Sequence, residues 1–393
     1  MTKPLMFEKP VGMRDTLPPL YDAKHNIRSV LMNSIVQWGY SFLQTPALEY
    51  YDTVGVTSSI ADHQLFKLLD AEGQTLVLRP DVTAPIARVV SSIMKKEPFP
   101  LRLAYDSPVY RSLQKEGGRP AEFEQMGVEL IGDKTSSADA EIVALMIALL
   151  EEIGLRDCKI AIGHVGFVDA LFTDILSKEE DVDLLLRYLY EKNYVGYTHH
   201  VKNLSLSAQN EQRLLALLEL KGGKETLKKA QAIGAQNSSP LLAEIDHLFD
   251  VLNMYGVQEK VSFDFSLRSH MSYYTGIIFE GYTANYGFPL CRGGRYDHLL
   301  QTFGRVAKAI GFALSIDDVM EALPPSGIQN KQECIIYSPS LRREAYEKAQ
   351  ALRRNGCAVV LQDVRGIDEM DHFTRRFSSV TYMLDTHQEG ESC

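Results

Sequence analysis

The sequence is short of the features that mark most specialised protein classes. Its five cysteines (Cys158, Cys291, Cys334, Cys357 and Cys393) are odd in number and scattered, with no Cys-x-x-Cys pair. That disfavours a disulfide framework or a zinc ribbon and fits a reducing cytoplasm. No apolar run approaches the roughly 20 residues a spanning helix needs. Residues 1–9 carry a proline and charges where a signal peptide would have its apolar stretch. A soluble cytoplasmic protein is the expectation, with no membrane association. Basic residues are outnumbered, 41 Lys+Arg against 51 Asp+Glu, for a formal charge of −10. A broad nucleic-acid surface needs clustered Lys and Arg and is therefore disfavoured, whereas a local basic pocket for a small anion is not. No fixed-period repeat or low-complexity tract is present, which sets aside solenoids and propellers.

The common catalytic signatures are missing too. Gly222-Gly223-Lys224 lacks the upstream glycine of a phosphate-binding loop and reads as a turn among helices. There is no G-x-G-x-x-G, no G-x-S-x-G and no H-E-x-x-H. The adjacent His199-His200 cannot share one helix face and reads as a surface loop. Standard nucleophile, zinc and dinucleotide chemistries therefore have little support, and no metal site or cofactor is expected.

What the chain does have is length and a core-forming composition. Its 393 residues exceed what one hydrophobic core usually organises, and 45% hydrophobic with 23% charged is ordinary for a folded protein. Ile27, Val30, Leu31, Ile35 and Trp38 are spaced for one face of a helix over 21–38. Gly39 stops it, and a strand is expected over 40–46. A short strand over 75–79 ends at Pro80. A strong helix over 138–153 should be capped by Ser136 or Ser137. From about 166 to 257 the pattern is helical almost throughout, which reads as an insertion. Strands resume at 261–266, 274–282 and 309–316, the last passing into a helix over 317–322. Pro324-Pro325-Ser326-Gly327 reads as a linker. Beyond it, 333–337, 341–354 and 359–362 form a β-α-β unit, and 388–393 reads as a frayed tail.

Several polar residues are embedded in these strand-like surroundings. Asp81 and Thr83 follow the 75–79 strand. Arg111 precedes a loop with glycines at 117 and 118, and Gln125 and Glu129 resume the strand after it. Arg268, Tyr273 and Tyr274 come later, followed by residues 291–297 with Arg292 and Arg295. Taken singly, each is as easily a surface ion pair or a core tyrosine with a wet tip. Together, the carboxylates of Asp81 and Glu129, the hydroxyl of Thr83, the amide of Gln125 and the two phenols suit an ammonium and an imidazole. Arg111 or Arg268 suits a carboxylate. Such a set fits a free amino acid with a polar side chain.

These residues, in this order, resemble histidyl-tRNA synthetase, a class II aminoacyl-tRNA synthetase. Residues 12–18 look like its opening segment, and 40–49 with Pro46 resemble motif 1, which builds the family's homodimer interface. Residues 78–84 resemble the family's L-R-P-E-G-T-A segment, with Asp81 in place of Glu. Tyr110-Arg111 and the loop to Gln125, with Arg119, resemble motif 2. Residues 272–276 and 291–297 look like the two histidine-specific signatures. The likeness spans roughly 5–322. It implies an α+β fold, an antiparallel sheet flanked by helices over 1–165 and 258–323. The helical insertion occupies 166–257, and a short C-terminal α/β unit 331–393 stands where the anticodon-binding domain would be.

The departures fall on the ATP chemistry. Motif 2 of an active enzyme reads Arg-x-Glu, and here Leu113 stands at the acid. Asp318 stands where motif 3 ends in an arginine, and an acid there repels a polyphosphate. The family's R-G-L-D-Y-Y signature appears as Arg268 through Tyr274, with the arginine displaced by one residue and Ser272 at the acid. This pattern is similar to the synthetase-like regulatory subunits of ATP phosphoribosyltransferase. That resemblance implies a non-catalytic partner of a short-form catalytic subunit in the first step of histidine biosynthesis, conferring feedback inhibition by histidine. It further implies a homodimer within a hetero-oligomer, histidine as allosteric ligand at the eight residues named above, and no tRNA. An active histidyl-tRNA synthetase, an enzyme activating another amino acid, and a scaffold with a vestigial pocket remain alternatives at this point.

Overall fold

The computed structural model describes residues 7–112, 120–235, 238–269, 271–324 and 332–385. Leu113, glycines 117 and 118, Arg119, His270, Pro325 to Gly327 and the 388–393 tail lie outside them. The chain divides into two units, Met1–Pro324 and Pro325–Cys393.

In the first unit, α1 (Pro18–Gln37) opens on prolines, whose missing N–H groups would be unpaired at a helix start anyway. It buries Leu31 and Ile35 completely. Gly39 ends it with φ +84, a left-handed conformation that a side chain disfavours. The strand after it, β1, is only Ser41–Phe42; pairing stops at Leu43, whose N–H bonds Ala104 O, and Pro46 has no N–H to extend it. Three short strands, β2 (Leu48–Tyr50), β3 (Lys67–Leu69) and β4 (Thr75–Leu78), form a separate antiparallel sheet in the order β2-β4-β3. α2 (Thr83–Ser91) follows, then the long hairpin of β5 (Leu101–Tyr110) and β6 (Glu122–Ile131). α3 (Ser136–Glu152) is capped by Thr135, whose Oγ1 accepts from Ala138 N at 3.4 Å, and not by Ser136 or Ser137, which are already helical.

After β7 (Lys159–His164) come α4 (Val165–Ile175), α5 (Glu179–Tyr190), α6 (Tyr194–Asn203) and α7 (Ala208–Ala216). A two-residue β8 (Lys221–Gly222) separates them from α8 (Glu225–Ile233) and α9 (Ser239–Met254). His199 and His200 sit in α6 and not in a loop, and His200 Nε2 lies 3.0 Å from Asp181 Oδ1 of α5. The unit closes with β9 (Val261–Asp264), β10 (Ile277–Thr283), β11 (Tyr286–Arg295), α10 (Leu299–Thr302), β12 (Ala309–Ser315) and α11 (Ile316–Ala322).

Among the described residues the main sheet has nine strands in the order β1-β5-β6-β12-β11-β10-β7-β9-β8. Its interior is antiparallel, and parallel pairs occur between β1 and β5 and between β7 and β9. Strand alternation splits its residues between two faces. Met126, Val128 and Leu130 of β6, with Ile310 and Leu314 of β12, join the core formed with α1, α3, α4 and α9. Burying such side chains contributes about 1.5–3 kcal/mol each. Leu103 and Tyr105 of β5, Ile131 of β6 and Ala309 of β12 pack with α2 and α10 on the opposite face. On that second face, the odd-numbered positions 127 and 129 of β6 and 311 of β12 are the ones available to a ligand.

The second unit is a three-stranded parallel sheet, with β13 (Glu333–Tyr337) between β14 (Val359–Asp363) and β15 (Ser379–Met383). α12 (Arg342–Arg354) packs Ala345 and Ala349 against Ile335 and Val359, and a short α13 (Met370–Thr374) leads to β15.

Candidate functional site

Glu129 is the centre of the second face. Strand alternation turns it away from the main core, yet it is only 2% exposed. Thr83 Oγ1 donates to Oε1 at 2.7 Å and Tyr296 OH donates to Oε2 at 2.5 Å. Burial pushes its pKa up to about 7; the two hydroxyl donors oppose this and the nearby Asp81 charge adds to it. No ion pair reaches it among the described residues. Directly across the ladder stands Gly311, where any Cβ would collide with Glu129 Oε2. The carboxyl group fits because that position is bare.

Asp81 enters from the turn between β4 and α2. Its Oδ2 accepts from Ser58 Oγ at 2.5 Å and its Oδ1 from Ala84 N at 3.0 Å, so the carboxylate also caps the first turn of α2. Arg79 makes this turn rigid from behind: it is 2% exposed and donates to Pro108 O at 2.8 Å and Thr45 O at 2.7 Å. Tyr105, Tyr273, Tyr274 and Tyr296 surround the two acids. Tyr273 meets Tyr274 edge-on at 5.0 Å between ring centroids and Tyr296 at 5.7 Å. Burial raises the pKa of all four phenols, which therefore stay neutral donors.

Arg111 provides a cation. Its Nε donates to Pro80 O at 2.8 Å and its guanidinium lies 5.2 Å from the Phe123 ring centroid. Burial lowers its pKa, Asp81 opposes that, and a second arginine nearby, Arg292, pushes the same way as burial. Asp81, Thr83, Arg111, Gln125, Glu129, Tyr273 and Tyr274 all line one cavity enclosing about 640 Å³ of empty space, mouth included. Arg268 does not line it. Its Nη1 lies 3.2 Å from Val165 O and 3.1 Å from Asp169 Oδ1, both of α4.

Tyr105, Tyr296 and Arg292 also line the cavity, although the sequence did not single them out as ligand-binding. Tyr296 and Arg292 lie within the 291–297 segment, so that segment's resemblance was the available signal. Tyr105 had none beyond its place in a strand. Asp318 stands outside the cavity wall, one turn beyond Ser315, which does line it. Its N–H donates to Ser315 Oγ at 3.3 Å and its Oδ1 accepts from Tyr286 OH at 2.7 Å. No cluster of His, Cys, Asp and Glu suited to a metal occurs among the described residues. None of the described helices is long and apolar enough to cross a membrane.

The same residues locate the chain among known proteins. The histidyl-tRNA synthetase family model matches residues 12–319, and that of "Histidyl-tRNA synthetase HisZ, C-terminal domain" matches 334–385. An ATP phosphoribosyltransferase regulatory subunit of Halalkalibacterium halodurans is 54% identical over 393 residues, 99% of each chain. Its namesake in Bacillus subtilis is 51% identical over 389 residues, 98% of this chain and 99% of that one. A crystal structure of an ATP phosphoribosyltransferase regulatory subunit/histidyl-tRNA synthetase from Bacillus halodurans superposes with a TM-score of 0.90 at 53% identity, covering 98% of this chain and 100% of that one. Histidyl-tRNA synthetase from Nostoc sp. shares the fold, with a TM-score of 0.78 at 16% identity over 95% of this chain and 89% of that one. With a synthetase fold over its first unit and near-complete, high-identity coverage by these relatives, the chain belongs to the family of ATP phosphoribosyltransferase regulatory subunits.

Proposed function

We propose that this chain is the non-catalytic regulatory partner of a short-form ATP phosphoribosyltransferase catalytic subunit, and that free histidine in the cavity carries feedback inhibition of the first step of histidine biosynthesis. The name borne by its relatives supports the regulatory role. One observation supports the ligand: two buried carboxylates, Asp81 and Glu129, share a closed-in cavity with the guanidinium of Arg111. That polarity matches an amino acid that is cationic at its amine and ring and anionic at its carboxylate. Asp81, Thr83 and Glu129 take the ammonium and ring N–H groups, Gln125, Tyr273 and Tyr274 orient them, and Arg111 takes the carboxylate. No cofactor is required.

Regulation follows if histidine binds two states of the complex with different affinity, since tight binding to both would shift nothing. Homodimerisation through the motif 1 region is part of the proposal, supported by the exposed apolar side chains of Val30, Val36, Leu48 and Tyr50. The hetero-oligomer with the catalytic subunit is built on that dimer, and tRNA has no place in it. Co-expression with a short-form catalytic subunit should give phosphoribosyltransferase activity that depends on this chain and falls when histidine is added. Histidine-dependent ATP–pyrophosphate exchange by this chain alone would overturn the proposal.

A further inference from the structure

Of the two arginines that the sequence offered for a ligand carboxylate, the fold keeps only Arg111 at the cavity, because Arg268 is held by α4. A different arginine occupies the wall. Arg292 lies on β11 between Glu280 of β10 and Ala313 of β12 and lines the cavity. Its charge reaches Arg111 and Tyr274. Two guanidiniums lining one cavity repel each other, and an anion bound between them removes the repulsion.

Arg292 is also held from behind. Its Nε lies 3.2 Å from Oε1 of Glu280, a carboxylate only 9% exposed. The other oxygen, Oε2, accepts from Tyr282 OH and lies 3.2 Å from Lys192 Nζ. Lys192 belongs to the turn between α5 and α6 and has φ +54; it is the one non-glycine with a left-handed backbone among the described residues. Its Nζ also lies 2.7 Å from Tyr282 OH. A strained turn of the helical insertion is thus fastened to the carboxylate that holds a cavity-lining arginine.

We infer that Arg292, together with Arg111, binds the carboxylate of the amino acid, and that Glu280 and Lys192 are the residues that position it. The inference rests on the histidine reading of the cavity and adds to it a residue and a route by which occupancy reaches the helical insertion. Guanidinium–carboxylate pairing at a partly buried site is geometrically selective, so the positioning matters as much as the charge.

The test is calorimetry on the full chain with two ligands, L-histidine and L-histidinamide, the second lacking the carboxylate charge. Wild type should discriminate against the amide. Arg292→Ala should weaken histidine binding on the order of 10- to 100-fold while leaving the amide within about twofold, so that discrimination collapses. Arg292→Lys should fall between. Lys192→Ala should lose part of the discrimination and Lys192→Arg should regain it, a pattern that a merely structural role would not produce. Arg268→Ala should leave the ratio of the two affinities unchanged. A thermal melt of each variant identifies any that fail to fold, and the Lys variants then carry the test. A wild-type affinity ratio in folded Arg292→Ala or Arg292→Lys overturns the inference and leaves the histidine reading standing; absence of histidine binding to wild type overturns both.

Discussion

Glu129 of β6 and Asp318 of α11 are acids of the same unit, and the protein treats them in opposite ways. Glu129 is sealed in, answered by two hydroxyls and a bare glycine, and pushed towards neutrality by burial. Asp318 sits at the first turn of α11, where its N–H donates to Ser315 Oγ and its Oδ1 accepts from Tyr286 OH. The first acid is costly to keep and so argues for a ligand; the second is comfortable where it is and argues for none. The contrast fits the proposed reading, in which the cavity around Glu129 takes an amino acid while the start of α11 is an ordinary helix turn.

The largest expected effect comes from removing the costly acids. An Asp81→Ala, Glu129→Ala double variant should lose histidine affinity by more than about 100-fold in calorimetry, because a buried cation would be left unpaired. Unchanged affinity would dissolve the contrast with Asp318. Next, Gly311→Ala should destabilise the fold by about 1–3 kcal/mol and weaken histidine binding, since Glu129 must move to admit a methyl group. Denaturant melts and titration together read both effects.

A third expectation concerns protons. With the Glu129 pKa raised to about 7, the folded chain holds a proton that the unfolded chain releases near the ordinary glutamate value. Glu129 should therefore contribute stability to the empty protein that is lost as pH rises from about 4.5 to about 7, and the difference between wild type and Glu129→Gln in pH-dependent melts should show that contribution. Binding a cationic group to the ionised carboxylate should weaken as pH falls through about 7, with proton release visible when calorimetry is repeated in buffers of different ionisation enthalpy. The smallest effect should come from Asp318→Arg. It should cost about 0.5–1.5 kcal/mol through loss of the Tyr286 hydrogen bond, and it should not create ATP–pyrophosphate exchange.

Much of this arrangement was legible in the residues themselves. Periodicity located α1, α3 and the helical run between β7 and β9, because each buries one face against a large core. The order of acids, amide and phenols pointed to an amino acid before any geometry was known. What sequence could not decide was which arginine reaches the cavity. Arg268 and Arg292 lie in similar strand-like contexts, and the choice is made by Asp169 and Glu280, acids that only the fold brings alongside. The Thr135 cap was missed because Ser136 and Ser137 are equally good cap residues by type. β15 was missed because none of its residues is fully buried and Tyr382 is exposed, so no apolar alternation marks it.

The main sheet ends at both sides in strands of two residues, β1 and β8. An outermost strand that short offers almost no row of unpaired N–H and C=O groups of its own, so β1 and β8 give another chain little backbone to hydrogen-bond to. For a protein whose proposed role is to join copies of itself to a second kind of subunit, this restricts how contact is made. At those two strands association has to be written in side chains, where charge and shape discriminate between partners, and not in backbone, which would accept any extended segment that arrived.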